Sequence, residues 1–199
     1  MFKLLSRFFL FLTGWEPVGK KTAGNKVVLV AGPHTSNWDL AYLLAITRVS
    51  DVEISWIGKH TLFRWPFGPI MRALGGVSIR RDRPERVVEQ VVRAFNEAET
   101  LYLTITPEGT RSYTPYWKSG FHRIAKAAGV PIQLGFADYA QRRGGFGPAF
   151  MPSDDVRADM DKIRAFFADV VARHPDQAGM VRLREEDESI AKATGVDQT

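Results

Sequence analysis

The apolar run Val27-Val28-Leu29-Val30, together with the segment that follows it, is the feature that most constrains how this chain can fold. Four consecutive apolar residues predict a short buried strand, and residues 40–49 have the apolar spacing of a helix packed on a core. Between them lies a polar turn at residues 33–39. A strand that enters a helix through so short a turn is typical of α/β proteins.

The rest of the chain repeats this alternation of strands and helices. Further strands are predicted at residues 53–57, 77–80, 101–106 and 130–136, with residues 146–151 pairing with the last of these across a turn. Helical patterns cover residues 69–74, the stretch from Pro84 onward, 119–128 and 155–173. We therefore expect one α/β domain with a largely parallel mixed sheet flanked by helices, spanning residues 15–181, and a polar tail at 182–199.

Composition narrows the classes of function. The chain has 199 residues, of which 45% are hydrophobic, and no cysteine, which excludes disulfides, thiolate metal sites and a cysteine nucleophile. Residues 1–83 contain 12 lysines and arginines against 5 acidic residues, or +7, whereas the remainder contains 15 against 17, or −2. This asymmetry favours an anionic partner: lipid headgroups, a phosphorylated substrate, an acidic carrier protein or nucleic acid.

The first twelve residues form an apolar segment interrupted by Lys3, Ser6 and Arg7. It falls short of the roughly 20 residues that span a bilayer, and no small-residue cleavage site of a signal peptide follows it. We expect residues 1–14 to form an amphipathic helix in the membrane interface, with Trp15 at the level of the headgroups. The alternative is a first helix that docks on the protein's own core.

His34 and Asp39 are the strongest candidates for chemistry. If His34 lies in the turn and Asp39 in the first turn of the helix, the carboxylate can reach back to one imidazole nitrogen. The other nitrogen is then free to accept a proton, as a general base requires. The alternative is structural, because Ser36 and Asp39 also fit a capping box that would leave His34 an ordinary turn residue.

Several polar residues follow other predicted strands. Ligands of open α/β sheets bind beyond the carboxyl ends of the strands, so we expect these residues to surround His34. Arg111 suits a bidentate contact with a phosphate, Lys59 would act as a point charge, and Gly109 would let the backbone approach a ligand closely. Arg80 and Glu108 complete the set.

Four sequence blocks, in order over residues 27–136, resemble those of the glycerolipid acyltransferases, the lysophosphatidate acyltransferase family. The blocks are His34-Thr-Ser-Asn-Trp-Asp39, Lys59-His-Thr-Leu-Phe63 through Arg80, Pro107-Glu-Gly-Thr-Arg-Ser112, and Val130-Pro131-Ile132. Two positions depart from the family pattern, Pro33, where asparagine is commoner, and Thr106, where an aromatic residue is commoner.

The resemblance implies a role for each block. It makes His34 the catalytic base and Asp39 its orienting partner. It assigns binding of a phosphorylated acceptor to the second and third blocks, and contact with the acyl chain to the fourth. By position these are Lys59, Arg80, Glu108 and Arg111 for the acceptor, and Val130, Pro131 and Ile132 for the acyl chain.

The implied reaction moves a fatty acyl group from acyl-CoA or acyl carrier protein to the hydroxyl of a lysophospholipid. The expected acceptor is 1-acyl-glycerol-3-phosphate, which gives phosphatidic acid. Neither a metal nor a bound cofactor is implied, and the co-substrate is the acyl thioester. We expect a peripheral protein on the cytoplasmic face of the cell membrane, bound to anionic lipids and not to nucleic acid.

Three alternatives stay open at this point. In the first, the enzyme acylates a different hydroxyl-bearing lipid or glycolipid. In the second, the chain is a metal-dependent hydrolase that uses His34, Asp39, His60 and Glu108. In the third, it is a non-enzymatic protein that binds anionic membranes or nucleic acid. His122 and His174 lie in helical patterns without a predicted partner.

Overall fold

A seven-stranded sheet forms the centre of the structure, a computed structural model that describes residues 2–22, 24–79 and 84–187. The strands are β1 (Glu16–Val18), β2 (Lys26–Gly32), β3 (Ile54–Lys59), β4 (Gly76–Ile79), β5 (Leu101–Ile105), β6 (Ile132–Asp138) and β7 (Arg143–Phe150). Their order is β1-β7-β6-β2-β5-β3-β4. The strands from β6 to β4 are mutually parallel, whereas β7 is antiparallel to β6 and carries β1 parallel to itself. The predicted α/β domain with a largely parallel mixed sheet is confirmed.

Helices cover both faces of this sheet. They are α1 (Phe2–Thr13), α2 (Trp38–Val49), α3 (Gly68–Ala73), α4 (Pro84–Glu97), α5 (Gly120–Ala128) and α6 (Val156–Phe167). Apolar residues of α4, α5 and α6 form one core with the sheet, and α2 packs on the opposite face with α1 against it. Because side chains alternate along a strand, β2 buries Val28 and Val30 in the first core and Val27 and Leu29 on the other side. This double burial explains the uninterrupted apolar run.

The helix α1 packs against the protein with a face of mixed polarity. Lys3, Ser6, Leu10 and Thr13 lie on one helical face turned toward the protein, and Lys3 Nζ pairs with Asp51 at 2.5 Å. The opposite face exposes six large apolar side chains, each more than half accessible to solvent: Phe2, Leu4, Leu5, Phe8, Phe11 and Leu12. Among the described residues, no helix has the length and apolar character needed to cross a membrane.

Two segments differ from the sequence-based expectation. The helix predicted at 155–173 ends at Phe167, although Ala172 beyond it is still buried, so apolar periodicity does not mark where the helix stops. Residues 182–187, expected as the start of a solvated tail, pack against the domain instead. Leu183 is fully buried and bridges to Trp117, and Glu186 pairs with Arg164 at 2.9 Å.

Candidate active site

A histidine and an aspartate meet where β2 leads into α2. His34 lies in the turn between them, and Asp39 lies in the first turn of α2. His34 Nδ1 and Asp39 Oδ2 are 3.0 Å apart, and their side chains are 21% and 12% exposed. With the Nδ1 proton donated to the carboxylate, His34 Nε2 is left as the proton acceptor, and no hydrogen bond engages it among the residues that the structure describes.

The same carboxylate also fixes the turn. Asp39 Oδ2 accepts hydrogen bonds from the backbone N–H groups of Thr35 and Ser36, both at 2.9 Å. Ser36 Oγ in turn accepts from the N–H of Trp38 at 3.2 Å. The structural and catalytic interpretations of this segment are therefore compatible, because one carboxylate both binds the backbone of the turn before α2 and holds the imidazole. Burial alone would raise the pKa of Asp39, but hydrogen bonds from His34, Tyr139 and Ser36 hold it below its usual value.

Glu108 contacts the backbone of the turn that carries His34. It follows β5, the strand beside β2, and its Oε1 accepts the backbone N–H of His34 at 3.0 Å. The side chain is almost fully buried, and Oε2 has no hydrogen-bond partner in the described part of the chain. Burial raises the pKa of Glu108 above its usual value, against the lowering effect of the backbone hydrogen bonds from Glu108 itself and His34. The carboxyl group therefore contacts the turn that carries His34 and lies away from solvent.

Two cations, Lys118 and Arg111, belong to the segment that follows β5. Gly109 has φ +66, a left-handed conformation that favours glycine, and a Cβ there would lie 2.7 Å from Lys118 Nζ. Arg111 is exposed in the same loop. Lys59 ends β3, the strand on the far side of β5, but its side chain is not among those described. Arg80 lies outside the described residues.

The fourth block lies at the other end of the sheet. Ile132 pairs with Val28 near the start of β2, whereas His34 follows the end of that strand. Val130 and Ile132 are buried in the core, and the carbonyl of Pro131 accepts the N–H of Val28 at 3.0 Å. The structure does not bring these three residues together with His34, and their contact with an acyl chain stays a prediction.

Two residues at the site escaped the sequence analysis. Tyr139 Oη donates to Asp39 Oδ1 at 2.7 Å from just beyond the end of β6. The guanidinium of Arg173 lies 5.7 Å from the ring centre of Tyr139 and 5.9 Å from that of Trp38. His174, beside it, donates its backbone N–H to Thr35 Oγ1 at 3.2 Å. No local pattern signals the contacts of these residues with Thr35, Trp38 and Asp39, since they join segments 100 residues or more apart.

A second histidine–aspartate pair corrects the expectation that His122 has no partner. His122 Nε2 and Asp159 Oδ2 are also 3.0 Å apart, and they join α5 to α6. Asp159 additionally accepts hydrogen bonds from Ser153 and Lys162. The side chains of the pair are only 4% and 0% exposed, so a substrate cannot reach them. Exposure therefore selects His34 as the candidate base.

The described residues 2–22, 24–79 and 84–187 contain no group of three or more histidine or acidic side chains arranged to hold a metal ion. The side chain of His60, which belongs to the metal-site alternative, is not among those described. The expectation that no metal takes part stays a prediction.

Comparison with known proteins identifies the fold and the family. The fold is similar to the crystal structure of the 1-acyl-sn-glycerophosphate (LPA) acyltransferase PlsC from Thermotoga maritima, with a TM-score of 0.54, 17% identity, and 81% of this chain and 74% of that chain covered. A search of curated protein sequences finds no match. The family model described as Acyltransferase matches residues 14–133, which is more than half of the sequence and includes His34, Asp39, Glu108 and Arg111. The chain therefore belongs to the acyltransferase family.

Proposed function

We propose that this acyltransferase moves a fatty acyl group from an acyl thioester to the hydroxyl of a lysophospholipid, with 1-acyl-glycerol-3-phosphate as its acceptor and phosphatidic acid as its product. The observation that carries the proposal is the 3.0 Å contact between His34 and Asp39 in an accessible turn, within a chain of this family. The thioester is acyl-CoA or acyl carrier protein.

The chemistry follows from the free nitrogen of His34. Nε2 removes the proton of the acceptor hydroxyl while the hydroxyl oxygen attacks the thioester carbonyl carbon. The tetrahedral intermediate collapses with cleavage of the carbon–sulfur bond, and the departing thiolate takes the proton back from the imidazolium. Asp39 keeps the imidazole in the tautomer that this cycle needs, and its negative charge favours the imidazolium that forms. Every atom transferred comes from the two substrates, so no oxidant or reductant is required.

An anionic acceptor fits the charges beside the turn. Arg111 presents a planar fork that matches phosphate oxygens, and Lys118 adds a point charge over Gly109. Both follow β5, next to the strand that leads to His34. In this proposal the phosphate of the acceptor is held there, and the free hydroxyl reaches His34 Nε2. Glu108, which is buried against the backbone of His34, supports the turn in this proposal and does not bind the phosphate.

The outward apolar face of α1 supports a membrane-bound enzyme. A helix that docks only on a protein core turns its apolar side inward, whereas α1 turns Lys3 and Ser6 inward together with Phe9 and Leu10, and leaves three of its four phenylalanines, Phe2, Phe8 and Phe11, exposed. Burying such a face in the headgroup region removes this apolar area from water. Because Lys3 already pairs with Asp51, the attraction to anionic lipids rests more on the exposed Arg7. Membrane docking and contact with the core are thus properties of two faces of one helix.

A turnover assay tests the proposal. Purified protein is offered acyl-CoA or acyl carrier protein together with lysophosphatidate, a choline lysophospholipid or a non-phosphorylated monoacylglycerol, and lipid products are identified by mass spectrometry. We expect phosphatidic acid as the main product. Equal or better acylation of monoacylglycerol would show that the acceptor needs no phosphate, and absence of thioester consumption with every acceptor would contradict acyl transfer to lipids.

A further inference from the structure

Tyr139 completes the set of hydrogen bonds on the Asp39 carboxylate. The three other donors come from residues 34–36 and all of them bind Oδ2. Tyr139 Oη donates to Oδ1 at 2.7 Å, and no other donor to Oδ1 is found among the described residues. Without this bond, the carboxylate would be held through Oδ2 alone. Tyr139 lies beyond the four sequence blocks and beyond the residues that match the family model.

The ring of Tyr139 is held in place by packing. Trp15 contacts it edge to face with ring centres 4.9 Å apart, and Tyr42 does the same at 5.8 Å. The backbone N–H of Tyr139 donates to the carbonyl of Val171 at 2.9 Å, and Arg173 lies over the ring. These contacts fix the hydroxyl before any substrate binds.

The hydroxyl is also kept in its donor form. Burial, and then the nearby Asp39 carboxylate, raise the pKa of Tyr139 well above its usual value. Two titratable groups interact with the histidine–aspartate pair, Glu108 from the loop after β5 and Tyr139 after β6, and Tyr139 in turn interacts with Arg173 after α6 and Tyr42 on α2. Of these, Tyr139 is the one whose side chain donates a hydrogen bond to Asp39.

We propose that Tyr139 is a positioning residue for proton abstraction by His34, acting through Asp39. The hydroxyl orients the carboxylate toward the imidazole and neutralises part of its charge. The predicted effect on the rate rests on the proposed function. The predicted effect on the protonation of His34 can be measured without any substrate.

Tyr139→Phe removes the hydroxyl and keeps the ring that packs against Trp15 and Tyr42. The remaining charge of Asp39 then acts more strongly on the imidazole, which retains its proton to a higher pH. We expect the NMR titration midpoint of His34 to rise by about half a pH unit. The chain has four histidines, so the His34 signal is identified by its loss in His34→Ala.

The kinetic consequence is separable from binding. Because one charge-assisted hydrogen bond is lost, kcat should fall by about tenfold, with the KM values of thioester and acceptor changed by less than about twofold. The acidic limb of the kcat profile should move to higher pH in step with the NMR midpoint.

Tyr42→Phe is the matched control. It removes a hydroxyl from the same aromatic cluster, but no hydrogen bond of that hydroxyl is found among the described residues.

Each outcome has a defined meaning. Tyr139→Phe with an unchanged midpoint and unchanged kcat overturns the inference, and so does an equal change in Tyr42→Phe. Unfolding of Tyr139→Phe under conditions in which Tyr42→Phe stays folded would make Tyr139 a structural residue and overturn it as well. A shifted midpoint in a protein whose wild type shows no acyl transfer would support the contact with Asp39 and count against the proposed function alone.

Discussion

Replacing Asp39 with asparagine separates the charge of this side chain from its shape. The carboxylate accepts four hydrogen bonds, at 2.7–3.0 Å. An amide keeps the size and one acceptor oxygen but lacks the charge. A hydrogen bond to a charged group contributes about 1.5–3 kcal/mol and a neutral one about 0.5–1.5 kcal/mol. Because four bonds on one carboxylate are not additive, we expect the free energy of unfolding at neutral pH to fall by roughly 2–3 kcal/mol.

The loss of activity should be much larger than the loss of stability implies. The neutral amide no longer favours the imidazolium, and its NH₂ group can face Nδ1 and select the wrong tautomer. We expect kcat to fall on the order of 10²–10⁴-fold in protein that is still folded. Asp159→Asn is the matched control, since it makes the same change in the buried His122–Asp159 pair, whose nitrogen–oxygen distance is also 3.0 Å. It should lower stability while leaving kcat within about twofold.

The stability difference should also depend on pH. The pKa of Asp39 is lowered in the folded protein, because the hydrogen bonds to it outweigh the opposing effect of burial. A lowered pKa stabilises the fold above the ordinary value of 3.8, and this stabilisation is lost as the pH falls through the folded-state value. Denaturant unfolding should therefore show the largest difference between wild type and Asp39→Asn near neutral pH and a smaller one below about pH 4. A difference of equal size at all pH values, or wild-type turnover in Asp39→Asn, would refute the reasoning.

Two further predictions concern the acceptor and the membrane. Arg111→Lys should raise the KM for lysophosphatidate several-fold without changing that for the thioester, because the bidentate fork is lost. Steady-state kinetics with Arg93→Lys as the exposed control measure this, and equal effects on both substrates would make Arg111 a general surface cation. Phe8→Ser combined with Phe11→Ser should weaken binding to anionic vesicles at least about tenfold, given roughly 1.5–3 kcal/mol for each fully buried phenylalanine. In a flotation assay Met180→Ser, another exposed apolar position, should bind like wild type, and unchanged binding of the double variant would mean that α1 does not enter the membrane.

The central part of the site could be predicted because it is local. The strand β2, the turn and Asp39 are contiguous, so the apolar run and the spacing of five residues are enough to bring the carboxylate back to His34. The order of strands then puts Glu108 beside it, since β5 is the neighbour of β2 and both strands end at the same edge. Parallel pairing explains why residues after separate strands converge.

Contacts between distant segments could not be predicted in this way. Tyr139 reaches Asp39 because β6 lies on the other side of β2, and Asp159 reaches His122 because α6 packs beside α5. No local sequence pattern predicts that β6 lies beside β2 or that α6 lies beside α5. The position of Val130 and Ile132 has the same origin, since a parallel strand begins at the end of the sheet opposite His34. The orientation of α1 also depends on tertiary contacts, which turn Lys3 toward Asp51 and pack the helix against α2.

The consequence for experiments on α1 is practical. Leu10 is buried, and Phe9 and Trp15 contact Tyr42, so deleting residues 1–14 would uncover part of the core. Substitution of the outward phenylalanines changes the exposed face alone and is the cleaner test of membrane binding.

The rate of acyl transfer by His34→Ala tests the central claim most directly. Wild type and variant are compared with acyl thioester and lysophosphatidate at saturating concentrations, after circular dichroism and thermal unfolding show that both are folded. Because His34 is the proposed general base, the variant should turn over on the order of 10²–10⁴-fold more slowly, with binding of both substrates retained. Turnover within a fewfold of wild type in folded His34→Ala would contradict the account.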